Sequence, residues 1–250
     1  QIIYIYVLNT VMKKIAGFLL FIWGAFWFML ITSLLTIIYA LILGIGGKKY
    51  SMQCVWINYS ILSPLLLKLL FIKLKTYNLN VINPKRAYVI VANHTTAIDI
   101  IITASASPQP ARFLAKSETK YIPIFGYMVR MLAIIVDRNS KESREKSYGC
   151  MAAALAKGES LMLYPEGTRN KTTEKLKEFK DGAFKVAIMA QAPIAIQTIV
   201  GAQKLNPTEG LQVYPGQVEV YWHVIETNGM KLEDIDTLKE RVRYEMLRHL

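Results

Sequence analysis

Acidic side chains, histidine and cysteine are all scarce in this chain of 250 residues. Eighteen Asp and Glu stand against thirty Lys and Arg, a formal net charge of +12. An anionic partner is therefore expected: lipid headgroups, an acidic carrier, a phosphorylated substrate or nucleic acid. No compact nucleic-acid recognition motif is found, so nucleic acid is set aside. The two cysteines, Cys54 and Cys150, lie far apart with no metal-ligand spacing around them. Both read as reduced packing residues, which favours a body facing the cytosol. Internal repeats and low-complexity segments are also missing.

Charge itself is absent from residues 15–47, a run well beyond the ~20 residues that cover the hydrocarbon core of a bilayer. A soluble core helix does not fit such a run. A secretory signal peptide fits poorly too, because the run is too long and lacks a small-residue cleavage site. Lys13 and Lys14 precede the run while Lys48 and Lys49 follow it, so flanking charge gives no orientation. The helix either spans or lies in one leaflet. After the Gly44-Ile45-Gly46-Gly47 turn signal, residues 50–74 are apolar again, interrupted by Ser60, Ser63 and Pro64 and studded with Lys68, Lys73 and Lys75. That pattern predicts a second helix at the interface with its lysines toward lipid phosphates. Residues 1–75 thus read as a two-helix membrane anchor and residues 76–250 as the body. The 53% hydrophobic content and mean hydropathy of +0.27 agree with membrane contact.

Past Asn83-Pro84 the pattern changes to short apolar runs: AYVIVA, ARFLA, AIIV, SLMLY, PIAIQTIV and QVEVYWHV. Alternating with helical stretches, they predict an α/β fold, a central mostly buried sheet flanked by helices. Residues 140–156 read as a helix with Asn139 and Glu142 spaced as a capping box. Residues 179–190 read as a second, stopped by Pro193. From Asp236 onward a charged amphipathic helix is expected to pack through Leu238, Val242 and Met246.

One of only three histidines stands in VANHTTAID, directly after an apolar run. Residues five apart on a regular helix are rotated by about 140° and do not face each other. His94 and Asp99 can meet if His94 lies on the loop leaving a strand and Thr95 or Thr96 caps a helix that begins near Asp99. The pair then sits at the carboxyl end of the strand, where open α/β sheets place ligands. An aspartate on one ring nitrogen fixes the tautomer and makes the other a better base. Alternatively, His94 bonds only the backbone and Asp99 is a helix-start residue. A second strand end, SLML, delivers YPEGTR, with Glu166, the adaptable Gly167 and the planar guanidinium of Arg169, a fork suited to phosphate. His223 and His249 have no acid in a matching pattern and read as structural or exposed.

The succession NHTTAID, AIIVDR, YPEGTR and QAPIAI resembles the glycerolipid acyltransferases typified by lysophosphatidic acid acyltransferase, over roughly residues 85–200. That resemblance implies that His94 is the general base and Asp99 its orienting partner, with Lys116 near the developing oxyanion. Arg138 then binds phosphate. Glu166, Gly167, Thr168 and Arg169 belong to the glycerol-phosphate site, and Pro193 shapes the acyl site. Tyr164 stands where the family usually has phenylalanine.

The implied reaction moves a fatty acyl group from acyl carrier protein or acyl-coenzyme A to the sn-2 hydroxyl of lysophosphatidic acid. No cofactor and no metal are implied, and the partners are membrane phospholipids, lysophosphatidic acid and the donor. The expected location is a membrane, with the catalytic body facing the cytoplasm, at a bacterial inner membrane. Alternatives are another lysophospholipid or glycerol phosphate as acceptor, a metal-dependent hydrolase using His94, Asp99 and Glu166, and a non-catalytic binder of anionic lipid.

Overall fold

The computed structural model describes residues 2–136, 141–207 and 211–250. It opens with one very long helix, α1 (Ile2–Gly46), about 68 Å at 1.5 Å per residue. Within it, Asn9–Gly46 contains an 18-residue window of mean hydropathy 2.5, so α1 is long and apolar enough to cross a membrane, and only 17% of that window is buried. The buried positions form one stripe, Gly17, Gly24, Thr32, Thr36 and Tyr39. Along this stripe α1 lies against the rest of the chain. A Cβ at Gly24 would strike the Leu70 side chain, so glycine is what permits the approach. The helix is also tied to the body by hydrogen bonds from Trp23 Nε1 to Leu69 O and from Val213 N to Gly17 O, both 3.0 Å.

The second helical run is present but broken and shorter than predicted. It consists of α2 (Ser51–Ile57), a π-helical turn (Asn58–Leu62) and α3 (Ser63–Leu69). Two residues later the chain becomes a strand, β1 (Ile72–Tyr77). Phe71 makes the reversal with φ 55°. The reason is local: IKLK alternates, so Ile72 is buried while Lys73 and Lys75 are exposed, the period of a strand and not of a helix. The boundary expected after residue 75 therefore falls inside a strand, and only Lys68 of the three lysines lies on a helix.

The other elements are β2 (Val89–Ala92), α4 (Asp99–Ala106), β3 (Ala111–Lys116), α5 (Phe125–Leu132), β4 (Ile134–Val136), α6 (Lys141–Ala156), β5 (Ser160–Leu163), α7 (Gly182–Met189), β6 (Ile194–Val200), α8 (Ala202–Leu205), β7 (Gly216–Ile225) and α9 (Ile235–Leu247). Every one of the six predicted apolar runs contains a strand. Together with β1 they form one seven-stranded sheet in the order β1-β7-β6-β2-β5-β3-β4. From β6 to β4 all neighbours are parallel, whereas β7 runs antiparallel to β6 and carries β1 parallel to itself. Parallel strands covered on both faces read as continuous apolar runs, and β2 and β5 are buried at every position.

Side chains of β2 alternate between two cores. Val89 and Val91 join Met151, Phe184, Leu238, Val242 and Met246 under α6, α7 and α9. Ile90 and Ala92 join Tyr39, Cys54, Ile102 and Trp222 on the face covered by α1 to α4. The α9 contacts are those its pattern predicts. Cys54 is buried as expected, but Cys150 is exposed, and both are free thiols. The proposed Asn139 cap lies outside the described residues.

Candidate active site

Because β2, β5 and β3 are parallel neighbours, their carboxyl ends open on one edge of the sheet. His94 follows β2, the YPEGTR turn follows β5, and Lys116 ends β3. The loop leaving β2 is pinned by Asn93, whose side chain donates to Ile199 O (3.0 Å) and accepts from Ile199 N (2.8 Å). His94 Nδ1 then lies 2.9 Å from Asp99 Oδ2. Asp99 is fully buried as the first residue of α4. Its Oδ2 also accepts from Thr95 N (2.6 Å) and Thr96 N (2.8 Å), and Oδ1 accepts from Thr96 Oγ1 (2.7 Å). Thr96 thus donates to the aspartate instead of capping α4. A carboxylate can only accept, so Nδ1 carries the proton and Nε2 is left as the basic nitrogen. The His94 side chain is 15% exposed.

The YPEGTR turn closes through a hydrogen bond from Gly167 N to Tyr164 O (3.0 Å). Proline in its second position and glycine in its fourth suit such a turn, and Gly167 has φ 76°. That N–H is therefore occupied within the turn and is not aimed at substrate. Glu166 does not reach the cavity as the resemblance implies. It is 2% exposed, with Oε1 accepting from His94 N (2.7 Å) and Oε2 from Lys177 N (2.9 Å). Burial pushes its carboxyl above the ordinary value, while the Lys177 and His94 amides oppose the rise. Glu166 is a clip that holds the histidine loop, the turn and the Lys177 segment together. Asn170 N adds a bond to His94 O (2.6 Å).

A cavity of about 850 Å³ opens beside His94, within the range of small-molecule sites. Its mouth carries Lys116, Gly167, Thr168 and Arg169, and its depth is apolar, reaching Phe28 of α1, Tyr59, Phe113 and Leu132. So the structure brings His94, Lys116, Gly167, Thr168 and Arg169 to one space, with Asp99 behind the histidine. Pro193 is not among them. It precedes β6 at the amino end of the parallel strands, where its carbonyl accepts from Val89 N (3.0 Å). Five residues of strand rise, about 16 Å, separate that level from His94. Arg138 lies outside the described residues.

Three contributors were given no role from sequence. Lys171 and Lys177 line the mouth, and Lys177 Nζ donates to Thr168 Oγ1 (2.9 Å). No spacing signal marks either, because the irregular segment after Arg169 sets their position. Tyr164 stacks on the His94 ring, with centroids 4.1 Å apart and an interplanar angle of 18°. Its place directly after β5, one residue before the proline, could have shown that it sits at the same sheet edge. His223 and His249 are remote from this cavity: His223 Nδ1 lies 3.8 Å from Glu245 Oε2, and His249 stacks on Tyr221.

The chain is 28% identical to a 1-acyl-sn-glycerol-3-phosphate acyltransferase of Helicobacter pylori over 165 residues, 65% of this chain and 70% of that one. With an acyltransferase of the same name from Chlamydomonas reinhardtii it shares 32% identity over 142 residues, 56% of this chain and 42% of that one. The crystal structure of PlsC, the 1-acyl-sn-glycerophosphate acyltransferase of Thermotoga maritima, superposes with a TM-score of 0.76 at 21% identity, covering 95% of this chain and 98% of that one. That likeness establishes the fold. The family model described as Acyltransferase matches residues 73–200, a span that begins in β1 and takes in His94, Asp99, Lys116 and the YPEGTR turn, and the chain belongs to that family.

Proposed function

We propose that this protein transfers a fatty acyl group from a thioester to the sn-2 hydroxyl of lysophosphatidic acid, giving phosphatidic acid. The observation that carries the reading is a histidine with Nδ1 held at 2.9 Å by a buried aspartate, beside a cavity that is apolar in depth and cationic at its mouth. A lysophosphatidic acid has the matching anatomy: a long apolar chain, a free hydroxyl and a phosphomonoester.

In the proposed reaction His94 Nε2 takes the proton of the acceptor hydroxyl as its oxygen attacks the thioester carbonyl. General-base assistance of this kind contributes about 10²–10⁴-fold. Asp99 holds the ring and stabilises the imidazolium. Lys116 meets the oxyanion of the tetrahedral intermediate, and Arg169 holds the acceptor phosphate as a fork. On collapse the carbon–sulfur bond breaks and His94 returns the proton to the departing thiolate, leaving an ester and a free thiol. Neither an acyl-enzyme nor a cofactor enters this scheme. Arg138 stays a candidate for the same phosphate.

The helices up to Leu69 act as the membrane anchor in this reading, and the catalytic body faces the cytoplasm. Support comes from the exposed apolar length of α1, the lysines that flank its uncharged run and the insolubility of acceptor and product. Acyl carrier protein and acyl-coenzyme A both carry the required thioester and negative charge.

The test is product analysis with purified protein, offering lysophosphatidic acid, a choline lysolipid and glycerol 3-phosphate with each donor. Phosphatidic acid from lysophosphatidic acid, lost in His94→Ala, is expected. Transfer to another acceptor alone would overturn the substrate, and product formation by His94→Ala would overturn the base.

A further inference from the structure

Tyr164 joins three pieces of the site that are distant in sequence. Its ring lies flat on the His94 imidazole at 4.1 Å, and its phenol oxygen is 3.0 Å from Thr103 Oγ1 on α4. The direction of that bond follows from counting protons. Thr103 Oγ1 has one hydrogen, and it approaches Asp99 O at 2.8 Å and Ile100 O at 3.0 Å, both of which only accept. The threonine proton goes to these carbonyls, so the phenol is the donor to Thr103. Burial, with a smaller effect from Asp99, holds the Tyr164 phenol well above its usual value, which keeps that donor protonated.

We propose that Tyr164 is the positioning residue of the general base: its ring fixes the plane of the His94 imidazole and its hydroxyl ties that ring to α4, the helix that presents Asp99. The assignment rests on the reading of His94 as the base. Asp99 fixes one point of the imidazole, the Nδ1 end, but a single hydrogen bond leaves the ring free to swing about it. The stacked face removes that freedom. Because the phenol bonds Thr103, one turn along α4 from Asp99 and itself bonded to the Asp99 carbonyl, the histidine and its aspartate are held in one frame, and Nε2 faces the cavity at a constant angle. A resident phenylalanine would keep the stack and lose the tie.

Three variants separate these contributions: Tyr164→Leu, Tyr164→Phe and Thr103→Val. Misplacement of a reacting group by about 1 Å can cost ~10²-fold. Tyr164→Leu is therefore expected to lower kcat by at least about tenfold, with the acceptor KM within about twofold. Tyr164→Phe and Thr103→Val should each lower kcat by about two- to fivefold, and the double variant should lose no more than the worse single one, since both cut the same bond.

A spectroscopic arm needs no turnover. With histidine ring nitrogens isotopically labelled, a Nδ1–H signal assigned by its loss in His94→Ala should be sharp in the wild type and in Tyr164→Phe. In Tyr164→Leu it should be broadened or lost. If Tyr164→Leu fails to fold, the Phe and Val pair decides by itself: additive losses overturn the tie, and wild-type kcat in both singles overturns it too. Wild-type kcat in a folded Tyr164→Leu, or an effect confined to KM, overturns the positioning role. His94→Ala serves as the separating control. Activity retained there would sink the base itself, whereas a dead His94→Ala beside an unimpaired Tyr164→Leu would sink only the positioning.

Discussion

The two faces of the sheet are built to different standards. Under α6, α7 and α9 the core is closed: Phe184, Leu238, Val242 and Met246 are each fully buried. The opposite face, under α1 to α5, holds the cavity and also leaves buried polar atoms without hydrogen-bond partners at Trp27, Thr32, Thr36 and Tyr39 of α1. Buried orphans of this kind each cost stability. The difference teaches that one face is packed to hold the fold while the other is left open enough to admit a substrate. Residues that look equally buried should therefore fail in different ways.

The largest effect belongs to the open face. His94→Ala should reduce kcat by about 10²–10⁴-fold, with a melting temperature close to wild type, because the imidazole lines a cavity and fills no core. A wild-type rate would remove the functional contrast between the faces. On the closed face, Leu238→Ala should cost about 2–5 kcal/mol of unfolding free energy while leaving kcat per folded molecule unchanged; denaturant titration and active-fraction counting test both halves. A loss of kcat there would mean that the two faces are mechanically coupled.

Glu159→Ala probes the seam between them. Arg112 makes two bonds to Glu159, at 2.6 and 3.2 Å, and one of 2.7 Å to Ser51 at the start of α2. Its loss should destabilise by about 1.5–3 kcal/mol, the worth of hydrogen bonds to a partly shielded charge, and proteolysis should open the α2 side first. A smaller effect than that of His94→Ala is expected of Asp99→Asn, about tenfold to hundredfold in kcat. Oδ2 is fixed on the histidine side by the Thr95 and Thr96 amides, so the amide oxygen of asparagine should take that place and keep the ring in register. What is lost is charge. A crystal structure of the variant with the His94 ring turned away would refute this account.

Much of this was legible in the chain. The runs of β2 and β5 mark strands because parallel strands buried on both faces are apolar throughout, QVEVYWHV marks β7 by its alternation, and the spacing of His94 and Asp99 lets the two meet at a strand-to-helix corner. The illegible parts have physical causes. Phe71 occupies a left-handed conformation that glycine or asparagine usually signals, so nothing in LLLKLLFIKLK announced that the helix stops and β1 begins. Glu166 reads as a ligand from its motif, yet its meaning depends on the Lys177 amide, eleven residues on, which no local pattern reveals. Pro193 follows the order of the motifs correctly, but order does not tell which end of a strand a residue occupies.

The pairing of β1 with β7 has a consequence for how the chain is made. Ile72 is matched to Gly216, so the first strand emerges from the ribosome 144 residues ahead of its neighbour. At ~5–20 residues per second, that is a wait of about 7–30 s, during which β1 offers a bare row of N–H and C=O groups to any other strand nearby. Its sequence carries the safeguard. Lys73 and Lys75 are exposed at alternate positions, and lysine on an edge repels a second edge of the same kind. On the ribosome these lysines are gatekeepers, guarding the place of a strand not yet synthesised.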